Sequence, residues 1–497
     1  MNSKTRAWRT AIAVVVGLLL VSFIAIEPPN KREQLAAGGG GDDAADVVDG
    51  EDGVDDGAGA SDGGPAGGGD GSAGGGDGSA GGGGPAGGGG ANGKKYECKP
   101  GANGGRTDKG VSGNRIKLAA TNVRSGIGSS FLGTSYIGMQ AVVNRVNSKG
   151  GICGRLLELR LVDDAWEAAR GATFLQSFAK DDYFALPVVP SSEGLTQAIT
   201  NGTIDASGIP VVGSDGMLKE QYNDPWVWPV ATSTVSTIRV MTKHAKDKGA
   251  TSFGIVYDQQ YKFGKEGAAA FKQYVRELTG QEPKAFVGIT PGRANYSGDA
   301  NKFNNDCGPT GCDFVAMLLD PTTANTYISS QVDKDGRRQG FGRLLTGGAQ
   351  PLFNERFARD CGRPCDSMLV WTGYNPPIGA LASKPSVAAY VNDVRSVDPG
   401  VDVNNQFLEG AYLGMQVFVD ALERVGPNLT RAALRDTLNS MDYQSDLSST
   451  LTWTSKQRFA NQTAQAFRII TASGSFAGFA EAGTGFLKDP TPGVVPK

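Results

Sequence analysis

The sequence predicts an α/β protein of two lobes, each a doubly wound parallel sheet with helices on both faces, set behind an apolar anchor and a Gly/Asp-rich linker. Three observations carry this. From residue 111 onward, short runs rich in Val, Ile and Leu alternate with helix-length amphipathic stretches, the rhythm of βαβ units and parallel sheets. That region holds roughly 375 residues, too many for one open sheet and suited to two lobes of about 190 each. Before it stand an uncharged apolar run at 11–26 and a segment at 38–93 that is about half Gly.

The apolar run, AIAVVVGLLLVSFIAI, follows Lys4, Arg6 and Arg9. Such a run is inserted or exported with its basic flank left in the cytoplasm. Sixteen helical residues span about 24 Å, and Trp8 and its neighbours extend the reach toward a ~30 Å hydrocarbon core. Glu27-Pro28-Pro29 replaces the small-x-small site of a cleaved signal peptide, and the first Cys, Cys98, is too distant for a lipoprotein. The reading is an uncleaved, single-pass signal anchor over 1–37, with the N-terminus inside and the remainder extracytoplasmic. Residues 38–95 read as a disordered spacer, because they carry almost no apolar surface to offset ordering entropy. Of the net charge of −3, residues 1–37 hold about +3 and residues 38–93 about −11, leaving about +5 over the folded region. That mild excess makes no case for nucleic acid.

The folded region reads in order. Strands are expected at 116–121 and 156–162, separated by a helix at 134–149 that Gly150-Gly151 stops; a helix at 167–180 follows. Further strands are expected at 183–189, 211–212, 253–257, 285–289, 314–319, 344–346 and 368–371, with helices at 236–248, 265–279 and 323–333 between them. Near 375 the rhythm breaks. Phe407, Ala411, Phe418, Leu422 and Val425 mark a long helix, 431–438 a second, and short strands near 451–453 and 466–470 close the chain. The Asp224–Pro229 segment is a natural break between lobes, because proline stiffens extended chain. Its Trp226 and Trp228 read as packing there.

Six cysteines in an extracytoplasmic chain imply disulfides. Cys307 and Cys312 bracket GPTG, and Cys361 and Cys365 bracket GRP, so each pair closes a turn-rich loop locally. Cys98 and Cys153 then remain to staple the start of the folded region to the Gly150-Gly151 turn. The CxxxxC and CxxxC spacings are loose for zinc, and no metal or cofactor is expected.

Catalytic motifs are missing. The single His, His244, is the only candidate for a His-based triad. No GxxxxGK[ST] loop and no GxSxG elbow occurs. Gly126-x-Gly128-x-x-Phe131 lacks the third Gly of a dinucleotide fingerprint, but the Ser125–Gly128 turn at a helix entry still offers N–H groups to an anion. Asp333-x-Asp335-Gly336 lacks the spacing and closing Glu of a calcium loop and reads as a turn.

The order of motifs resembles the leucine/isoleucine/valine-binding-like family of type I periplasmic binding proteins, the receptors of ABC importers. The resemblance rests on 116–122, 138–147, Gly150-Gly151-Ile152-Cys153-Gly154-Arg155, 159–164 and Gly208–Val212. It extends through Val256-Tyr257-Asp258 with Phe263-Gly264, and Glu409-Gly410-Ala411-Tyr412. The resemblance implies two lobes joined by three crossing strands, lobe 1 being 111–231 plus 374–445 and lobe 2 being 235–371 plus 446–486. It implies a small polar ligand between them, of the amino acid, amide, urea or short peptide class. Carried over position by position, Ser191 and Ser192 fall where the family binds the ligand carboxylate, and they open a helix whose N–H groups favour an anion. Ordinary N-capping is the plainer role. Ser214 and Asp215 fall in the second carboxylate loop, where an Asp would repel that ligand and a turn is the plainer role. Tyr261 or Phe263 falls at the second lobe's mouth. Gln350 stands where an acid would hold the ammonium group, and Asp320 could supply that charge instead. Trp166 and Pro190 replace the family's disulfide cysteines.

The expected function is therefore non-enzymatic capture of a small ligand for an ABC permease, from a tether in the membrane. A membrane-tethered sensor acting on a partner membrane protein is the alternative reading, and an enzyme on the same scaffold a third.

Overall fold

A computed structural model of the chain describes residues 95–99, 101–331, 341–455 and 458–493, all within one compact unit, Gly82–Lys497. The anchor at 11–26, the linker through residue 94 and the turn at 333–336 lie outside the described residues. No helix among the described residues is long and apolar enough to cross a membrane.

The first sheet contains β1 (Arg115–Asn122), β2 (Leu156–Asp163), β3 (Leu186–Pro187), β4 (Val211–Val212) and β5 (Val227–Trp228). All pairings are parallel, and a bridge from Leu118 to Ala185 joins β1 to β3, giving the order β2-β1-β3-β4-β5. Position in the sheet explains composition. Central β1 is buried from Leu118 to Asn122, whereas edge strand β2 buries Leu157 and exposes Leu156 and Glu158. Successive side chains of β1 serve opposite faces. Leu118 and Ala120 pack with Met139, Leu408 and Leu413 of the helices Ser135–Ser148 and Gln406–Val425. Ala119 packs with Leu175 and Leu195 of Ala168–Lys180 and Ser192–Thr200.

The second sheet repeats this winding. Strands β6 (Phe253–Asp258), β7 (Ala285–Ile289), β8 (Phe314–Leu318), β9 (Leu345–Gly348) and β10 (Leu369–Thr372) lie in the order β7-β6-β8-β9-β10, all parallel. A hairpin of β11 (Asp442–Tyr443) and β12 (Leu451–Thr452) follows. Then β13 (Thr463–Ala472) joins β10 antiparallel and carries β14 (Ser475–Glu481) outside it.

Three crossings link the sheets and are tied to one another. Thr232 bridges Asn461 and donates its hydroxyl to the Thr463 carbonyl at 2.5 Å, while the Asn461 amide donates to the Gly373 carbonyl at 3.0 Å. The break between lobes falls here, not at Asp224–Pro229. That segment supplies β5, and Trp228 is buried against Asn439 and Arg458. Leu447, Leu451 and Trp453 pack into the first lobe's core, so the chain returns to the second lobe after 453 rather than at 446. A helix at Pro385–Val397, with Pro at its first turn, lies where the sequence rhythm breaks.

The three disulfides are Cys98–Cys153, Cys307–Cys312 and Cys361–Cys365, as the spacing implied. Beside the first, buried Arg155 donates to the carbonyls of Ser112, Gly105 and Pro427, pinning the entering chain to the first lobe.

Candidate functional site

Ligands of open α/β sheets bind beyond the carboxyl ends of the strands, and the loops there build the cleft. Phe131 follows β1, Trp166 follows β2, Pro190 and Ser192 follow β3, and Asp215 and Met217 follow β4; from the second lobe come Phe263 after β6 and Pro351 after β9. Two adjoining spaces result, each with about 10 Å³ of room for a water-sized sphere with the lobes as placed, and Asp215 lines both. The first lies toward the hinge, lined by Val188, Gly213, Ala231, Tyr374, Gln406 and Gly410 among others. The second is bounded by Phe131, Trp166, Ser192, Met217, Phe263 and Pro351.

Local backbone explains how these side chains are aimed. Ala165 and Trp166 adopt left-handed conformations (φ 55° and 62°), and the Asp164 carboxyl accepts the Trp166 N–H at 2.9 Å. Strain of this kind persists only where its surroundings impose it. The outcome is an indole that stacks on Tyr261 of the second lobe (4.1 Å between centroids) and meets Phe131 edge-on at 5.2 Å. Gly213, at φ 86°, lies against Gly414, where a Cβ would come within 2.4 Å of the Gly414 Cα. That contact seats the Asp215 loop on the helix Gln406–Val425.

The lobes meet across the cleft. The helix Lys262–Thr279 starts at the second lobe's edge, and Glu193 of the first lobe accepts the Lys262 N–H at 2.6 Å, where the helix dipole favours a carboxylate. Lys262 Nζ pairs with Glu220, and the Lys219 N–H reaches Glu266 at 3.2 Å. On the other flank Glu355 N–H donates to Asp402 at 2.8 Å. Burial pushes the Asp215 carboxyl up to about 7, against the lowering effect of hydrogen bonds from Ser192 and Gln221, and Glu193 adds to the rise. Burial, with Glu220 nearby, pushes Glu266 up to about 7; burial, with Asp320 and Glu193 nearby, pushes Asp258 up to about 6. The cleft is rich in acid, and no Lys, Arg or His is among the described residues lining the two spaces.

The profile of the periplasmic binding protein family matches residues 115–475. The chain belongs to that family. Similar solved structures are those of type I members. A fatty acid ABC transporter substrate-binding protein from Thermomonospora curvata is 15% identical with a TM-score of 0.65, covering 79% of this chain and 96% of its own. An R. palustris ABC transporter solute-binding protein in complex with 4-hydroxybenzoate is 15% identical with a TM-score of 0.62, covering 76% and 98%. The branched-chain amino acid transporter substrate-binding protein LivJ of Streptococcus pneumoniae, in complex with isoleucine, is 14% identical with a TM-score of 0.61, covering 76% and 100%. At these identities the likeness is one of fold. No curated protein matches the chain. Membership of this family implies an extracytoplasmic folded region.

In this periplasmic binding protein the eight residues expected at the site divide. Ser192 and Asp215 come together, the Ser192 hydroxyl donating to the carboxyl, while Tyr261 stacks on Trp166 without lining either space. The other five do not line the spaces either. Ser125 donates to Asp163 at 2.6 Å on an exposed turn. Ser191 is fully buried, leaves the helix it precedes uncapped, and sits within the first lobe close to Gly194. Ser214 donates to Gln221 at 2.8 Å. Asp320 caps the helix Pro321–Ser329, accepting from Thr322 and Thr323 at 3.0 Å each. Gln350 donates to the hinge carbonyl of Thr232 at 2.8 Å. Sequence reasoning missed Met217, Gln406, Phe407 and Tyr374. It met Phe131 only as a missing glycine and Trp166 only as a missing cysteine.

Proposed function

We propose that this periplasmic binding protein captures a small solute between its lobes, outside the cytoplasm, and presents it unchanged to an ABC permease. The apolar run at 11–26 is the tether that keeps it at the membrane. The observation that carries the reading is a cleft walled from both sides of a three-stranded hinge, by Trp166, Ser192 and Asp215 from one lobe and Phe263 and Pro351 from the other. A solute touching both walls stabilises closure by the contacts it makes only there. Of the residues inferred from sequence, Ser192 and Asp215 are the contacts we assign, with Tyr261 stacked on Trp166.

The test is a thermal-shift screen of amino acids, amides, ureas, short peptides and apolar amines on the full chain. A binder present at 100 times its Kd should add about 2.7 kcal/mol to stability. A lack of stabilisation by every class, together with undiminished solute uptake in cells lacking the protein, would contradict the proposal.

A further inference from the structure

We infer that the solute is an organic cation, an apolar body bearing an ammonium group, seated with its charge at Asp215 and its body among Phe131, Trp166 and Phe263. This rests on the interlobe reading above and names the ligand class for it.

The sign of the polar groups decides the head. Asp215 stands where the two spaces meet. The Ser192 hydroxyl proton is committed to Asp215. Glu193 is taken up by the Lys262 N–H across the cleft, so its charge is answered from the second lobe. Gln406 lines the hinge-side space, is 2% exposed, and its Oε1 has no partner. Asp215 and the Gln406 Oε1 thus leave acceptor capacity open to a solute. Two donors that the sequence offered to an anion are turned elsewhere, Ser214 to Gln221 and Gln350 to Thr232. A carboxylate entering here would face Asp215 with no cation beside it, and like charges at that range repel.

The walls decide the body. Phe131 and Phe263 lie 5.2 and 6.1 Å from the Trp166 ring, with Met217 alongside. Aromatic faces attract cations, most of all when the charge is spread over methyl or aryl groups and is easily stripped of water. A carboxyl and an aromatic box together match an ammonium on an apolar frame.

Isothermal titration of the full chain at pH 8 tests this with five probes of one shape: 2-phenylethyltrimethylammonium, 2-phenylethylamine, 2-phenylethanol, 3-phenylpropionate and L-phenylalanine. Both cations should bind at least tenfold more tightly than the alcohol, and the propionate more weakly than the alcohol. Asp215→Asn should narrow the cation-to-alcohol ratio at least tenfold. Should that variant fail to fold, Trp166→Leu, which keeps the carboxyl, should weaken the trimethylammonium probe more than the alcohol. Tighter binding of propionate or phenylalanine, equal binding of cation and alcohol, or no binding of either cation would overturn the inference and leave interlobe capture standing. Failure of every solute in the wider screen would instead remove the reading beneath it.

Discussion

The Asp215 carboxyl is held by Ser192 and Gln221 on a loop pressed against Gly414, and burial pushes it up to about 7. Glu193, Tyr222 and Tyr374 face it from neighbouring elements, and none brings a positive charge. An acid raised in this way carries its proton below that value and its charge above it. The affinity of 2-phenylethyltrimethylammonium, which cannot titrate, should therefore rise several-fold from pH 6 to pH 8 by titration calorimetry. In Asp215→Asn it should be flat over the same range. A profile that falls with pH, or a slope that survives the substitution, would show that another group sets the charge. Asp215 stood out in the sequence as an acid in a loop the family uses for a carboxylate, although a turn was the plainer reading there. The orientation of Ser191, Ser214 and Gln350 was not. A loop position fixes where a side chain starts, whereas its rotamer depends on partners such as Gln221 and Thr232 that only tertiary packing supplies.

Strands and helices with strong apolar patterns were legible, several to within a residue or two, but the helix Lys262–Thr279 starts three residues before the expected 265 and the helix Pro321–Ser329 ends four residues before the expected 333. The central strand β8 reads FVAML and is buried throughout, and the helix Gln406–Val425 follows its Phe, Ala and Leu spacing. Strand β5 was hidden because its ladder is two residues long and lies among prolines; pairing with β4, not intrinsic preference, makes it a strand. The cysteines were legible because two pairs bracket tight turns and leave one pairing. Their contributions should differ by loop length. Opening Cys98–Cys153, 55 residues apart, should cost about 4 kcal/mol on the chain-entropy account, against about 2 kcal/mol for Cys307–Cys312 or Cys361–Cys365, separated by 5 and 4. Denaturant unfolding of the three paired Cys→Ala variants checks this. A Cys98/Cys153 variant no less stable than the other two would mean that Arg155 and its carbonyl partners pin the entering chain without the covalent link.

Two sheets of the same winding face each other across one hinge, and closure about that hinge is the motion the proposed capture requires. Thr232 and Asn461 bind the three crossings into one unit, so the lobes turn together rather than unravel. The contacts that span the mouth include Trp166 with Tyr261 and Phe263, Glu193 at the head of the helix Lys262–Thr279, Lys262 with Glu220, Lys219 with Glu266, and Glu355 with Asp402 and Asn404. A solute of micromolar affinity supplies about 8 kcal/mol toward closure. The two-lobed plan was legible from length and βαβ rhythm, because both are properties of the whole chain. The closed geometry of the mouth was not, because it depends on residues such as Trp166 and Tyr261 that lie about 95 positions apart.

Spin labels at Arg170 and Ala269, exposed positions on helices of opposite lobes, read this motion most directly, and no free cysteine among the described residues competes for the label. Pulsed electron resonance on the doubly labelled chain should give a broad or longer distance distribution without solute. A saturating binder should collapse it to one short distance. The same distribution with and without a solute that raises the melting temperature would contradict capture by closure of the two lobes.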